Sequence, residues 1–339
     1  MGVDHRIDCC PDGLITNRRK SVRVLDCTIR DGGLCNDWDF GFGLVRDTIK
    51  GLHTAGVDVV EVGYRNSRNS SDKSGAWRFC TEKDLHDVVE SGVCVSVMVD
   101  QGRFDLSDFT DKKHSVIDVV RIATYAKDVE QAVNSAIALE QMGYKVYVNV
   151  MAVSCCSPST VDTFLGVLRD SPAAGVYVVD SFGALYPHHV RYLVRKFRNW
   201  LRSDQDIGIH FHNNQQTAFA NTIAAIDEGV DLVDATLCGV GRGAGNCPLE
   251  LLLMYLNLDG HNIEPVLELT EQYSHLARQL QCNYNVPYAI AGSLNIHPST
   301  AIELVGEQNQ SFTNYYRTHC SSDSTTSKHH DKHPQKPRG

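Results

Sequence analysis

The sequence predicts an α/β protein folded as a closed (β/α)8 barrel, the TIM-barrel fold, with a short helical C-terminal extension and a disordered tail. Three observations carry this expectation. Eight short apolar runs, nearly continuous as in strands buried on both faces, lie between Val22 and Leu237. Segments with apolar residues at helical spacing alternate with most of them. The chain has 339 residues, 42% hydrophobic and 22% charged, enough for one large core, and barrels of roughly 250 residues are routinely single domains. Eight repeated units argue for closure rather than an open doubly wound sheet.

In chain order, Val22 to Thr28 reads as the first strand, and Phe40 to Ala55 as a helix with Leu44, Val45, Ile49 and Leu52 on one face. Val57 to Val62 is the second strand, with Glu61 near its end, and Glu82 to Glu90 its helix. Strands three and four, Val93 to Val99 and Val116 to Ala123, are joined by Asp105 to Asp111, which offers at best a short helix. A helix from Val129 to Met142, a strand from Lys145 to Met151, a helix from Val161 to Arg169 and a strand from Val176 to Asp180 come next. The helix His189 to Trp200, the strand Ile207 to Phe211, the helix Thr217 to Glu228, the strand Leu232 to Leu237 and the helix Leu249 to Leu256 complete the set. The expected organisation is an N-terminal extension (1–21), the barrel (22–258), a short helical extension (259–306) and a tail (307–339). In the extension Pro265 to Gln281 has helical spacing, and Pro287 to Leu304 mixes turns with a short apolar helix. From Glu307 the Ser/Thr-rich and Lys/His-rich runs lack the apolar residues to fold, and the histidines read as a solvated charge run rather than a metal site.

Composition excludes several classes. A net charge of −9 leaves no general basic footprint, so no nucleic-acid partner is expected. Met1 to Lys20 has no apolar signal core, no run of about 18 apolar residues occurs, and Arg6 stands where myristoylation at Gly2 needs Ser or Thr. A soluble cytoplasmic protein with no membrane association is expected. Twelve cysteines are scattered, with Cys9-Cys10 and Cys155-Cys156 adjacent and no C-x-x-C spacing, which indicates neither a zinc ribbon nor a thioredoxin-type site. They read as small buried hydrophobes or free thiols.

Active sites of such barrels lie at the C-terminal ends of the strands. The seventh strand ends in Ile209-His210-Phe211-His212-Asn213, and period two puts both imidazoles on one side. The first ends in Thr28-Ile29-Arg30-Asp31-Gly32-Gly33, read as a continuation of the strand, so that Arg30 and Asp31 point apart. His210, His212 and Asp31 together make a site for Mn²⁺, Mg²⁺, Fe²⁺, Co²⁺ or Zn²⁺ with positions open to substrate oxygens.

The stretch Leu25-Asp26-Cys27-Thr28-Ile29-Arg30-Asp31-Gly32-Gly33 resembles the signature of the DRE-TIM metallolyases, the superfamily of isopropylmalate and homocitrate synthases, 3-hydroxy-3-methylglutaryl-CoA lyase and 4-hydroxy-2-oxovalerate aldolase. Val178-Val179-Asp180-Ser181-Phe182-Gly183-Ala184-Leu185, His210-Phe211-His212-Asn213-Asn214 and Gly241-Arg242-Gly243-Ala244-Gly245-Asn246-Cys247-Pro248-Leu249-Glu250 are most similar to the aldolase branch. The resemblance spans Val22 to Leu258. It implies Asp31, His210 and His212 as metal ligands, Asn246 as a fourth ligand or a partner of one, Mn²⁺ or Mg²⁺ ahead of Co²⁺ or Zn²⁺, and Arg30 on the carbonyl or enolate oxygen of a 2-oxo acid such as pyruvate. Cleavage of a 4-hydroxy-2-oxo acid leaves an enolate at that oxygen, which a metal and a guanidinium stabilise. No lysine is placed for a Schiff base.

Other residues stay open. Glu61 either orients Arg30 or forms a structural ion pair; Ser181 either touches the substrate carboxylate or caps a turn. Gly241 to Asn246 fits no phosphate cradle and reads as a tight turn bringing Asn246 to the metal; Cys247 reads as packing. The aldolases of this branch carry a histidine base just after the signature, whereas this chain has Leu34-Cys35-Asn36-Asp37-Trp38-Asp39. Tyr288, Asp37 or a hydroxide on the metal are the candidates for the base. The region after the barrel is short for a channelling dehydrogenase partner, and the expected partners are a 2-oxo acid, an aldehyde and, for oligomerisation, a second copy. The alternatives are a Claisen-type acyl-CoA condensing synthase and a non-catalytic metal-stabilised barrel.

Overall fold

The computed structural model describes residues 22–257, 260–306 and 311–320. Eight parallel strands close into a barrel in sequential order: β1 (Arg23–Asp26), β2 (Val59–Tyr64), β3 (Val95–Asp100), β4 (Ile117–Thr124), β5 (Lys145–Val150), β6 (Gly175–Asp180), β7 (Asp206–Phe211) and β8 (Leu232–Ala235). Closure runs through β1 and β8, with Leu25 opposite Asp234 and Asp26 opposite Ala235. The helices are α1 (Thr28–Asn36), α2 (Phe42–Thr54), α3 (Glu82–His86), α4 (Val129–Gln141), α5 (Pro158–Arg169), α6 (Pro187–Trp200), α7 (Ala218–Asp227) and α8 (Leu249–Leu256). Between β3 and β4 only two 3-10 turns form, as the weak pattern there predicts. Among the described residues no helix is long and apolar enough to cross a membrane.

Strand periodicity layers the interior. Leu25, Val59, Val119, Tyr147, Tyr177 and Leu232 line a cavity of about 70 Å³ at the amino-terminal floor, and Gly208 leaves room for the Tyr177 ring, which a Cβ there would overlap. Two residues further along their strands stand Glu61, Arg121, Asn149 and Asp234, all buried. The barrel therefore has an apolar floor and a charged middle layer beneath its mouth.

Two expectations change. The first strand stops at Asp26, because the Asp26 carboxylate accepts hydrogen bonds from the Thr28 N–H (3.0 Å) and O–H (2.7 Å) and turns the chain into α1. Arg30 and Asp31 thus sit in the first turn of a helix, and instead of pointing apart they form an ion pair. The extension contains α9 (Glu264–Gln279), α10 (Val286–Ser293), α11 (Ser299–Val305) and also α12 (Phe312–Cys320), within the segment expected to lack structure. Tyr315 of α12 is buried with Tyr288, Ala291 and Ala301 and hydrogen-bonds the Thr300 hydroxyl at 2.9 Å. One well-placed aromatic on a helical face suffices where the average composition of the tail suggests none. The remaining tail, 321–339, and the expected N-terminal extension lie outside the described residues.

Candidate metal centre

The mouth of the barrel brings Asp31, His210 and His212 together. Each is at least 95% buried, and one ligand atom from each lies within 4.8 Å of the others. The imidazoles stand edge to face with centroids 5.1 Å apart. His210 Nδ1 contacts Asp234 Oδ2 at 3.0 Å, whereas its buried Nε2 has no hydrogen-bond partner. A carboxylate on one ring nitrogen and a buried second nitrogen with no partner among the described residues is the arrangement of a metal-binding histidine. Burial pushes the His212 imidazole down to about 3, so it is neutral and free to ligate at neutral pH. Burial opposes ionisation of Asp31, but Arg30 and the two imidazoles outweigh it and hold the carboxyl below the usual range.

Asn246 approaches through the turn after β8. Its Nδ2 donates to Asp31 Oδ2 (2.5 Å) and to the Val240 carbonyl (3.2 Å), which leaves Oδ1 buried without a partner beside the site. Gly241 permits this approach: a Cβ there would overlap the Asn246 amide and stand 2.5 Å from Asp31 Oδ2. The donor set of one carboxylate, two imidazoles and an unsatisfied amide oxygen fits a divalent cation with open positions.

Beneath this set runs a continuous buried charge network. Arg30 Nε pairs with Glu61 Oε2 at 2.7 Å, and the same oxygen accepts from Arg121 Nη1 at 3.2 Å. Arg121 Nη2 reaches Asp234 Oδ2 at 2.6 Å, and Asp234 returns to His210. Glu61 is fully buried under Arg30, with Ser96 Oγ on its other oxygen, so it positions the guanidinium and does not face the mouth. Arg30 is further held by its backbone carbonyl, which accepts from Trp38 Nε1 at 2.9 Å. No hydrogen bond joins its Nη2 to another described residue.

The remaining expected residues divide. The Ser181 hydroxyl accepts the Ala152 N–H at 2.9 Å, and the Ser181 carbonyl accepts from Arg242 at 3.0 Å, a bracing role at the rim that leaves its O–H free to donate. Tyr288 of α10 packs over the glycine turn, where a Cβ at Gly243 would lie 3.8 Å from its ring. Burial, with Cys35 and Cys282 nearby, pushes its phenol up to about 12, so at neutral pH it can donate a proton but not accept one. Asp37 is an exposed left-handed cap of α1. Asn213 and Asn214 serve structure: Asn213 Oδ1 accepts the Ala218 N–H at 3.1 Å, and Asn214 Nδ2 donates to the Phe182 carbonyl at 2.9 Å. Asp234 and Arg121 escaped the sequence reading, although charges at inward positions of apolar strands are a signal for them.

The fold and this centre define a (β/α)8 barrel with a candidate divalent-metal site of aspartate and two histidines at its mouth. The chain belongs to the HMGL-like family, whose model matches residues 21–277. It is 30% identical over 252 residues to an oxaloacetate decarboxylase of Mycobacterium tuberculosis, covering 73% of this chain and 74% of that one. It is 29% identical over 254 residues to a 4-hydroxy-2-oxovalerate aldolase of Bacillus cereus, covering 73% of each. A solved N-terminal domain of a putative aldolase from Bacteroides vulgatus superposes with a TM-score of 0.75 at 31% identity, over 88% of this chain and all of that one. The 3-hydroxy-3-methylglutaryl-CoA lyase of Pseudomonas aeruginosa shares the fold, with a TM-score of 0.64 at 19% identity over 75% of this chain and 92% of that one.

Proposed function

We propose that the protein is a divalent-metal-dependent carbon–carbon lyase, an aldolase acting on a 4-hydroxy-2-oxo acid through a pyruvate-type enolate. The carrying observation is the juxtaposition of the candidate metal ligands with Arg30, a buried guanidinium fixed on two sides by Asp31 and Glu61 whose Nη2 has no hydrogen-bond partner among the described residues. A bound Mn²⁺ or Mg²⁺ would supply Lewis-acid polarisation of the 2-oxo acid. Asp31, His210 and His212 would hold that ion, with Asn246 fixing the Asp31 carboxylate and offering Oδ1. Arg30 would donate to the keto oxygen of the substrate. On cleavage the 4-hydroxyl passes its proton to water, C4 becomes the aldehyde carbon, and the C3–C4 electron pair passes into the C2–C3 enolate with charge on that oxygen. Arg30 stabilises the charge as it forms, and Glu61 and Arg121 keep the guanidinium aimed without reorganisation.

A second reading follows from the residues after the signature. Leu34 to Asp39 include no histidine, and the surrounding positions are occupied by Trp38 under Arg30 and by the Asp37 cap. Decarboxylation of oxaloacetate forms the same enolate, yet the departing carbon dioxide needs no base to take a hydroxyl proton. This favours a decarboxylase, the activity named for the Mycobacterium relative. Purified protein with Mn²⁺, supplied in parallel with 4-hydroxy-2-oxo acids and with oxaloacetate, decides between them by the rate of pyruvate release. Thiol release from acetyl-CoA with 2-oxo acids, and no pyruvate from either substrate, would point to the condensing synthase instead. Inactivity in all three assays would leave the metal-stabilised barrel.

A further inference from the structure

Two thiols meet beside the metal-site turn, and the proposed reaction uses neither. Cys35 lies near the end of α1, four residues beyond Asp31, and its Sγ is 3.7 Å from Sγ of Cys282, which follows α9. The Cys35 sulfur also reaches the Gly241 carbonyl at 3.3 Å. The two cysteines are 247 positions apart, so the folded extension, and no local turn, brings them together. Cys282 is 7% exposed and Cys35 is half-buried, which shields the pair while leaving one member accessible to a small reagent.

We propose that Cys35 and Cys282 form a reversible disulfide on exposure to a hydroperoxide, and that this bond switches off the metal centre by displacing α1 against the Gly241 turn. The sulfurs need to close from 3.7 Å to roughly 2.05 Å, a movement of about 1.6 Å shared between α1 and the loop after α9. In the first step one of the two thiolates attacks one peroxide oxygen, the O–O bond breaks, and the alcohol or water leaves with a proton, so that this cysteine becomes a sulfenic acid. In the second the other thiolate attacks the oxidised sulfur, and the hydroxyl departs as water with the remaining thiol proton. Two thiols are oxidised by two electrons and one hydroperoxide is reduced.

The consequence for the centre is geometric. α1 carries both Arg30 and Asp31, and the Gly241 backbone sits so close to Asp31 and Asn246 that it lacks room even for a methyl group. The disulfide removes the Cys35 contact to Gly241 and shifts the helix on which the ligand is mounted. A misplacement of about 1 Å costs such sites on the order of 100-fold. The effect on the centre rests on the metal-site reading; formation of the disulfide does not.

The full-length protein treated with hydrogen peroxide, alkylated and mapped by mass spectrometry without reduction tests the bond, and calorimetric titration with Mn²⁺ before and after treatment tests its effect. The expected result is a Cys35–Cys282 cross-linked peptide and at least tenfold weaker Mn²⁺ binding, both reversed by dithiothreitol. Cys35→Ser and Cys282→Ser, each binding Mn²⁺ as the untreated protein does, are expected to keep that affinity after peroxide. Alkylation of both thiols after treatment, pairing of either with another cysteine, or a cross-link that leaves Mn²⁺ binding unchanged overturns the proposal. So does a reduced protein that binds no Mn²⁺. None of these readouts involves turnover, so loss of the aldolase reading and loss of the switch are separable.

Discussion

In the proposed reaction Arg30 concentrates the chemistry of the site in one side chain. It is a fully ionised group at 4% exposure, and desolvation of that kind is sustained here by two carboxylates, while the Trp38 indole holds its backbone carbonyl. Arg30→Ala is expected to lower pyruvate release by about 100- to 1000-fold, the loss typical of one donor to a developing oxyanion. Mn²⁺ affinity measured by calorimetry is expected to change only a few-fold, and equal losses in both would make Arg30 a structural support of Asp31 alone. Asp234 acts one step further back, by holding the His210 ring. Asp234→Asn is expected to weaken Mn²⁺ binding by about 10- to 100-fold, with kcat recovering at saturating metal. A kcat that stays low at saturation would give Asp234 a different role.

The elements that present these residues are a helix and a turn, and they differ in how far the sequence discloses them. The turn is legible, since Gly241 to Asn246 is dense in glycine and ends on an amide. Gly241→Ala tests it: the added methyl would collide with Asn246 and Asp31, and at least tenfold weaker Mn²⁺ binding is expected with the barrel still folded by circular dichroism. Unchanged binding would mean that the turn does not set the position of the ligands. α1 is not legible, because its start depends on the Asp26 side chain capturing Thr28, and a period-two reading simply continues the strand. α12 is hidden for the opposite reason. Its one buried aromatic, Tyr315, lies in a segment whose composition is dominated by polar residues. Tyr315→Ala is expected to cost about 2 kcal/mol in urea denaturation, from lost packing and the Thr300 hydrogen bond.

At the scale of the molecule, apolar strand runs make the barrel legible, and period two places His210 and His212 on one side of it. The middle layer is less so, because a charge inside an apolar strand announces burial without naming its partner. Arg121 bridges Glu61 and Asp234 across strands 60 and 113 positions away, and only closure of the barrel reveals that pairing. Burial of this interior also carries a pH dependence. Burial pushes the Asp26 carboxyl up to about 7 from 3.8, despite its hydrogen bonds from Thr28. Below pH 3.8 both folded and unfolded chains hold this proton and no cost arises. Between 3.8 and about 7 only the folded chain holds it, so its contribution to stability falls as pH rises and is fully lost above 7. Asp26→Asn is therefore expected to gain stability relative to the parent between pH 5 and 7.5, by at most about 3 kcal/mol. Parallel urea curves at the two pH values check this, and a constant difference would contradict it.

The central claim is that the barrel mouth stabilises an enolate, and hydrogen–deuterium exchange at C3 of pyruvate in D₂O tests it without any knowledge of the aldehyde. With saturating Mn²⁺ the expected result is exchange catalysed by the parent protein, abolished by a chelator and reduced at least 100-fold in Arg30→Ala. Absence of exchange in the metal-loaded parent, or exchange undiminished in Arg30→Ala, would contradict it.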